Sequence, residues 1–144
     1  MLNCGDTFIT GDNESDDWHL HVIITPPTDS DEVVTVCVTT KRKRSETLVV
    51  IPADSHPFVK HASVISYGYS KIRCVADIET AIQNGTAKKR DPVSAELLSR
   101  AQAGLIDSDF TPNGVKWFYK ELQKMKKLKR AARFQSPSSQ RLQI

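Results

Sequence analysis

Two histidines two residues apart open an apolar stretch near the N-terminus. The stretch reads WHLHVIIT from Trp18 to Thr25, and its β-branched residues predict a strand. Side chains two apart in a strand point to the same face, so we expect His19 and His21 to lie side by side. Imidazole titrates near neutral pH, which suits acid–base catalysis. A plainer interpretation is that both are polar residues on the solvated face of a strand.

A second strand is predicted after a short acidic turn. Residues 32–40 read EVVTVCVTT and end in Thr39 and Thr40. Four basic residues follow: Lys41, Arg42, Lys43 and Arg44. We predict that they form a hairpin loop before the next strand, Thr47–Ile51. Exposure explains their charge in any protein, and phosphate contact is the sharper alternative.

The other two histidines flank a loop, DSHPFVKH at residues 54–61, in which Pro57 excludes a central strand position. His56 and His61, with Lys60, are either ordinary loop residues or groups that close over a groove. His19, His21 and a loop histidine also form a conceivable zinc shell. No carboxylate or cysteine has a supporting spacing, so we predict neither a metal nor a cofactor.

The order of elements predicts an α+β fold that is mainly β. Short strands with turn signals run to residue 74 and favour a small β-barrel. One of them is Ser63–Ser66, which Tyr67-Gly68-Tyr69 continues with a bulge at Gly68. Helical patterns follow at Val75–Gln83, Pro92–Ala103 and Pro112–Arg133. We predict that Asn84-Gly85 closes the first as a left-handed cap and that Gly104 ends the second. We therefore predict a barrel over residues 1–74 and a helical extension, packed on the barrel or on a partner, over residues 75–134. Residues 135–144 are predicted to be a flexible polar tail.

Charge is distributed unevenly along the 144 residues. Residues 1–40 contain eight acids and no Lys or Arg, whereas residues 116–133 contain eight bases and one acid, Glu121. This asymmetry indicates a polyanionic or acidic partner, or pairing in an oligomer. No apolar run has the length of a membrane span and no signal-peptide pattern occurs, so we predict a cytoplasmic protein without a membrane partner.

Four short motifs occur in an order that resembles the MazF/PemK-type toxins, the ribonucleases of bacterial toxin–antitoxin pairs. They are Gly5-Asp6, the strand led by His19, Val38-Thr39-Thr40 and Ser63-Val64-Ile65. The resemblance covers residues 5–72. It implies an SH3-like barrel with a C-terminal helix, metal-independent cleavage of single-stranded RNA, an antitoxin partner and a homodimer. In that family an arginine of strand two and a threonine of strand three carry the chemistry. Thr39 matches the threonine, and His19 stands in the place of the arginine.

The sequence thus predicts a toxin-like endoribonuclease, with RNA and an antitoxin protein as partners. The predicted catalytic residues are His19, His21, Thr39 and His61. The predicted RNA-binding residues are Thr40, Lys41, Arg42, Lys43, Arg44, His56 and Lys60. One alternative is a non-catalytic nucleic-acid- or protein-binding module on the same barrel. Another places the function in the C-terminal helices, as a dimer interface or a nucleic-acid surface.

Overall fold

The computed structural model describes the backbone of residues 1–12 and 17–142 and the side chains of residues 1–11 and 18–133. Most of the predicted acidic loop between Gly11 and Asp17, and the last two residues of the predicted tail, thus lie outside the described residues. Within them the elements follow the order β1 (Thr7–Asp12), β2 (Asp17–Ile23), β3 (Glu32–Thr40), β4 (Val50–Ile51), β5 (Ser63–Cys74), α1 (Val75–Asn84), β6 (Ala87–Arg90), α2 (Ala95–Asp107) and α3 (Asn113–Leu142).

The strands form one antiparallel sheet in the order β4-β5-β3-β2-β1-β6. The predicted α+β, mainly β class is confirmed. The centre of the sheet is β3, in which Val33 to Val38 are all buried. A strand that is buried on both faces reads as a continuous apolar run, which explains the VVTVCV segment. One part of the core packs beneath α1 and contains Leu2, Phe8, Ile23, Val33, Val75, Ile78 and Ala87.

The two edges of the sheet are linked by His56. Its Nδ1 accepts a hydrogen bond from the Phe58 backbone N–H at 3.1 Å, so Nε2 carries the proton and donates to the Asp91 carbonyl at 2.5 Å. The Thr7 hydroxyl donates to the same carbonyl at 2.7 Å. His56 is 4% exposed. Both ring nitrogens thus bind backbone groups, and contact of His56 with RNA stays a prediction.

The sheet does not stop at residue 74, where the predicted barrel ended. After α1 the chain returns as β6 and pairs with β1 from Thr7–Arg90 to Thr10–Ala87. β6 escaped prediction because its sequence, AKKR, has three bases in four residues. The turn before it was predicted correctly, since Gly85 has φ +79° and its N–H binds the Ile82 carbonyl at 3.2 Å.

Residues Met1–Pro112 form one compact unit, and Asn113–Ile144 form a second. The helix α3 of the second unit continues to Leu142, beyond the predicted end at Arg133. Flexibility of residues 135–144 stays a prediction. Among the described residues, no helix combines the length and the apolar content needed to cross a bilayer.

Two other element boundaries differ from the prediction. The helix α2 begins after Ser94, whose hydroxyl accepts a hydrogen bond from the Leu97 N–H at 3.1 Å, and not at Pro92. It also continues past Gly104 to Asp107. Gly104 makes room for Tyr67, since a Cβ at this position would overlap the Tyr67 hydroxyl. That hydroxyl donates to the Ala101 carbonyl at 2.9 Å.

The basic loop after β3 is not a hairpin loop. The short strand β4 pairs with β5, at Val50–Val64 and Ile51–Ser63, and lies at the edge of the sheet with β5 between it and β3. The strands β3 and β4 are consecutive in the sequence but are not adjacent in the sheet, so the predicted hairpin was wrong.

Candidate functional site

The two N-terminal histidines share one face of the sheet, as predicted. In the β1–β2 register His19 is opposite Thr10 and His21 is opposite Phe8. The β2–β3 register pairs Leu20 with Val38 and His21 with Cys37. Thr39 is two residues beyond Cys37 on β3, so its side chain lies on the same face. Residues directly opposite in an antiparallel pair have Cβ atoms about 5 Å apart. We call this surface the histidine face; its members are Phe8, Thr10, His19, His21, Thr35, Cys37, Thr39, Ser66, Lys71 and Arg73.

His21 is a buried part of this face. It is 7% exposed and stacks on Phe8, with ring centroids 5.1 Å apart and an angle of 17° between the rings. Its Nε2 shares a hydrogen bond of 2.8 Å with the Thr10 hydroxyl. Its Nδ1 is buried and has no hydrogen-bond partner among the described residues. Both nitrogens lie inside the structure, and catalysis by His21 stays a prediction.

The environment of His21 also changes its protonation. Burial lowers its pKa from 6.5 to about 4, and the positive charges of Arg73, His19 and Lys71 act in the same direction. At neutral pH the ring is therefore uncharged. The expectation that it titrates near neutrality is wrong, because the sequence does not show how deeply the ring is buried. Its role is to hold the Thr10 hydroxyl in place.

Arg73 is a functional candidate that the sequence did not indicate. Its Nε donates to the Thr35 hydroxyl at 3.0 Å, and its guanidinium carbon lies 5.9 Å from the centre of the Phe8 ring. Burial lowers its pKa, an effect that the nearby Cys37 opposes. Arginine stays charged even so. The histidine face thus carries a fixed, half-buried cation of its own. From the sequence, contact with a phosphate was expected only from the basic loop that contains Lys41 and Arg42.

The feature that could have identified Arg73 from the sequence is the full length of β5. The sequence predicted that this strand continues to Tyr69, but it extends to Cys74. The register between β3 and β5 shifts between Cys37–Ser66 and Thr35–Lys71, which is where the predicted bulge at Gly68 falls. The bulge is followed by further paired residues, and these bring Lys71 and Arg73 onto the histidine face.

A cleft of about 250 Å³ opens beside this cation. Its walls come from β1, β5, α1 and β6 and are lined by Phe8, Thr10, Lys71, Ile72, Arg73, Cys74, Asp77, Ile78, Ala81 and Ala87. Sites for drug-sized ligands measure roughly 300–1,000 Å³. The cleft therefore has the capacity for a small group, such as one phosphate or one base, beside two cations.

Thr39 and Ser66 form a hydroxyl pair on the same face. Their oxygens are 2.7 Å apart, and Thr39 is half-buried. Cys37 lies next to them but is buried, and burial raises the pKa of its thiol to about 11. The thiol is therefore protonated at neutral pH and is not a nucleophile, and Cys37 is a core residue.

The remaining predicted site residues lie at the strand end near Thr40. Thr40, Lys60 and His61 are exposed, as are the four bases from Lys41 to Arg44. The Lys41 N–H donates to the Ala62 carbonyl at 2.9 Å, which places the residues before β5 beside the basic loop. Contact of any of them with RNA stays a prediction.

A metal centre finds no support in the part of the chain that the structure describes. Among these residues, no group of three or more His, Cys, Asp or Glu side chains is arranged to hold an ion. His19 and His21 share a face. The loop histidine His56 is not available as a third ligand, because both of its ring nitrogens bind backbone groups.

Comparisons with known proteins find similarity at the level of structure. No protein-family model matches the chain. No curated protein matches it significantly. Among solved structures it is similar to a chain in the crystal structure of MazE-MazF (Form-III) from Deinococcus radiodurans, with 10% sequence identity and a TM-score of 0.49 over 74% of this chain and 94% of that chain. We therefore argue function from the residues of this chain.

Proposed function

We propose that the histidine face cleaves single-stranded RNA by acid–base chemistry that needs no metal. One observation carries the proposal: a single sheet face presents an exposed imidazole, His19, a hydroxyl, Thr39, and a half-buried guanidinium, Arg73. Arg73 also lines the cleft, together with Thr10, the residue opposite His19. RNA cleavage needs the 2′-hydroxyl deprotonated, the 5′-oxygen protonated and the phosphate charge stabilised. The face supplies the groups that these steps require.

Each group has a distinct part in the reaction. His19 takes the proton from the 2′-hydroxyl, whose oxygen then attacks the neighbouring phosphorus and forms a 2′,3′-cyclic phosphate. The P–O bond to the 5′-oxygen breaks, and that oxygen receives a proton, for which we assign His61. Arg73 and Lys71 stabilise the charge on the phosphate, and Thr39 donates a hydrogen bond to it. His21 is a positioning residue that acts through Thr10.

The resemblance to MazF/PemK-type toxins supports the same roles, because Thr39 matches the family's threonine. An imidazole in place of the arginine transfers protons more readily, since arginine cannot lose its proton near neutral pH. An antitoxin protein and a second copy of this chain are partners that the same resemblance implies.

Incubation of the purified protein with mixed-sequence RNA, with and without EDTA, tests the proposal. We expect cleavage in both, with 2′,3′-cyclic phosphate and 5′-hydroxyl ends. His19→Ala is expected to lower the rate about 10²–10⁴-fold, and added imidazole is expected to restore part of it. Thr39→Ala is expected to slow cleavage, whereas the matched control Thr86→Ala, on the exposed turn before β6, is expected to have no effect. If EDTA abolishes cleavage, or if both site variants cleave at the wild-type rate, the proposal is wrong.

The burial of His21 favours a second candidate, a binding module without turnover. With one histidine buried, the face retains its cations and the Thr39–Ser66 pair, which are sufficient for binding alone. This candidate predicts RNA binding with no new ends. Binding that weakens steeply with salt indicates phosphate contacts, and binding insensitive to salt indicates a protein partner.

A further inference from the structure

The helix α3 has a surface that the proposed cleavage site does not use. Every residue from Gln123 to Arg133 is exposed, and Glu121 is the last acid in the chain. Such a helix, charged on most sides, needs a partner or many internal ion pairs. An ion pair within it joins Lys124 to Glu121 at 3.2 Å. Because one acid accompanies eight bases between residues 116 and 133, the helix keeps a large excess of positive charge.

The positive charges are ordered along the helix. Lys116, Lys120, Lys124 and Lys127 follow one another at spacings of four, four and three residues, so they lie along one stripe. We call them the lysine row. Beside it lie Trp117, 66% exposed, and Leu128, 69% exposed. A large aromatic ring next to a row of cations is the combination found where proteins bind single-stranded nucleic acid.

We propose that the lysine row binds the phosphate backbone of single-stranded nucleic acid and that Trp117 stacks on a base. Charge complementarity selects this occupant: a phosphate chain carries regularly spaced negative charges, and the row carries regularly spaced positive ones. A second copy of α3 is disfavoured, since lysines of the same row would face each other. The inference goes beyond the cleavage proposal and does not depend on it.

The test uses a ligand that cannot be cleaved through a 2′-hydroxyl. Fluorescence anisotropy with a labelled oligothymidylate of about 12 nucleotides, a length typical of such sites, measures binding by the full-length chain at several salt concentrations. The triple variant Lys120→Gln, Lys124→Gln, Lys127→Gln is expected to bind at least about tenfold more weakly. Its slope of log affinity against log salt is expected to be shallower by about 2, because each phosphate that a lysine neutralises contributes about 0.7 to the slope.

A second triple variant is the matched control. Lys126→Gln, Lys129→Gln, Arg133→Gln removes the same charge from exposed positions on the other side of the helix. It is expected to retain most of the affinity, and circular dichroism is expected to show equal helix content in both triples. Equal losses of affinity in the two triples would overturn the lysine row as the site, because net charge alone would then explain binding.

Two further measurements separate stacking and the class of partner. Trp117→Ala is expected to weaken binding several-fold, with most of the affinity restored in Trp117→Phe. Polyglutamate of matched charge is expected to be a poor competitor, because it has no bases to stack on Trp117. If it displaces the oligonucleotide as well as an unlabelled copy does, an acidic polypeptide is the partner and the proposal is wrong. Binding that survives in His19→Ala shows that this site is independent of cleavage.

Discussion

The histidine face and the lysine row acquire their chemistry in different ways. On the face, two residues of the same type two positions apart have different properties: His19 is exposed, whereas His21 is buried with its pKa lowered to about 4. Along the row all four residues are lysines, of which Lys120, Lys124 and Lys127 are exposed and Lys116 is half-exposed. A buried titratable group takes its protonation state from its surroundings.

The comparison also separates two kinds of charge. The guanidinium of Arg73 is held in one place by the Thr35 hydroxyl and the Phe8 ring. The side chain of Lys124, by contrast, is 71% exposed. A positioned, partly desolvated cation stabilises charge that develops at one point. A row of solvated cations attracts a chain of charges without fixing any one of them. We therefore expect the face to govern turnover and the row to govern affinity.

The largest expected effect comes from Arg73→Ala. Loss of the positioned cation is expected to lower the cleavage rate at saturating RNA about 10²–10³-fold, as loss of one oxyanion donor does in other enzymes. The matched control is Arg90→Ala, which removes an exposed arginine of β6 that pairs with Thr7. Single-turnover cleavage measures both. If the two variants cleave equally fast, the fixed cation is not part of the reaction.

The second prediction concerns stability against pH. The unfolded chain protonates His21 near 6.5 and the folded chain near 4, so between these values the unfolded state binds more protons. The free energy of unfolding is thus expected to fall as pH drops from 6.5 to 4, by about 3 kcal/mol from this group. Arg73, Lys71 and His19, the charged groups near the ring, act with burial in that direction.

Urea unfolding of the wild type and of His21→Gln across this pH range measures the effect. The variant lacks the titrating ring, so its stability is expected to depend less on pH between 4 and 6.5. The carboxylates of Asp and Glu residues contribute equally to both proteins. Parallel curves for the two proteins would show that the ring is not desolvated in the folded state.

The third prediction separates the two regions by salt. If about five phosphates contact α3, affinity for an oligonucleotide is expected to fall about 10²-fold between 50 and 200 mM salt. The cleavage rate of bound RNA is expected to change less than about twofold, because a partly buried pair is screened weakly. Binding and single-turnover assays at both salt concentrations measure the two responses. An equal response of both quantities would remove the distinction between the regions.

The smallest expected effect compares two glycines. A Cβ at Gly85 or at Gly114 meets no atom within 4 Å, but only Gly85 has a positive φ, of +79°. Gly85→Ala is therefore expected to lower the free energy of unfolding by about 1 kcal/mol through backbone strain alone. Gly114→Ala, in the helix α3, is expected to be neutral or stabilising by up to about 1 kcal/mol. Thermal unfolding of both variants tests the pair, and equal destabilisation would contradict the assigned backbone conformations.

Local patterns in the sequence predicted several elements correctly. The bounds of β3, the shared face of His19 and His21, the bulge region near Gly68 and the cap at Gly85 all follow from periodicity or from one residue's conformational preference. Such features depend on residues a few positions apart. Around the bulge such patterns are interrupted: Tyr67 is fully buried, whereas Tyr69, two residues later, is 67% exposed.

Long-range features were missed. The strand β6 is recognisable only by its partner β1, about eighty residues earlier in the chain. His56 forms a hydrogen bond with the Asp91 carbonyl, which lies 35 residues away in the sequence. The hairpin expected between β3 and β4 failed since β5 lies between them. In each case a pairing between distant segments decided the outcome.

The sequence by itself determined the strand pair around the histidines, the mainly β class and the ordered charges of the lysine row. These follow from side-chain periodicity and from the spacing of the charged residues along the chain. Only the tertiary structure decided that His21 is buried and neutral, that His56 closes the sheet, and that Arg73 reaches the histidine face. The physical reason is that burial and cross-strand contact depend on the register of distant segments, which no local pattern contains.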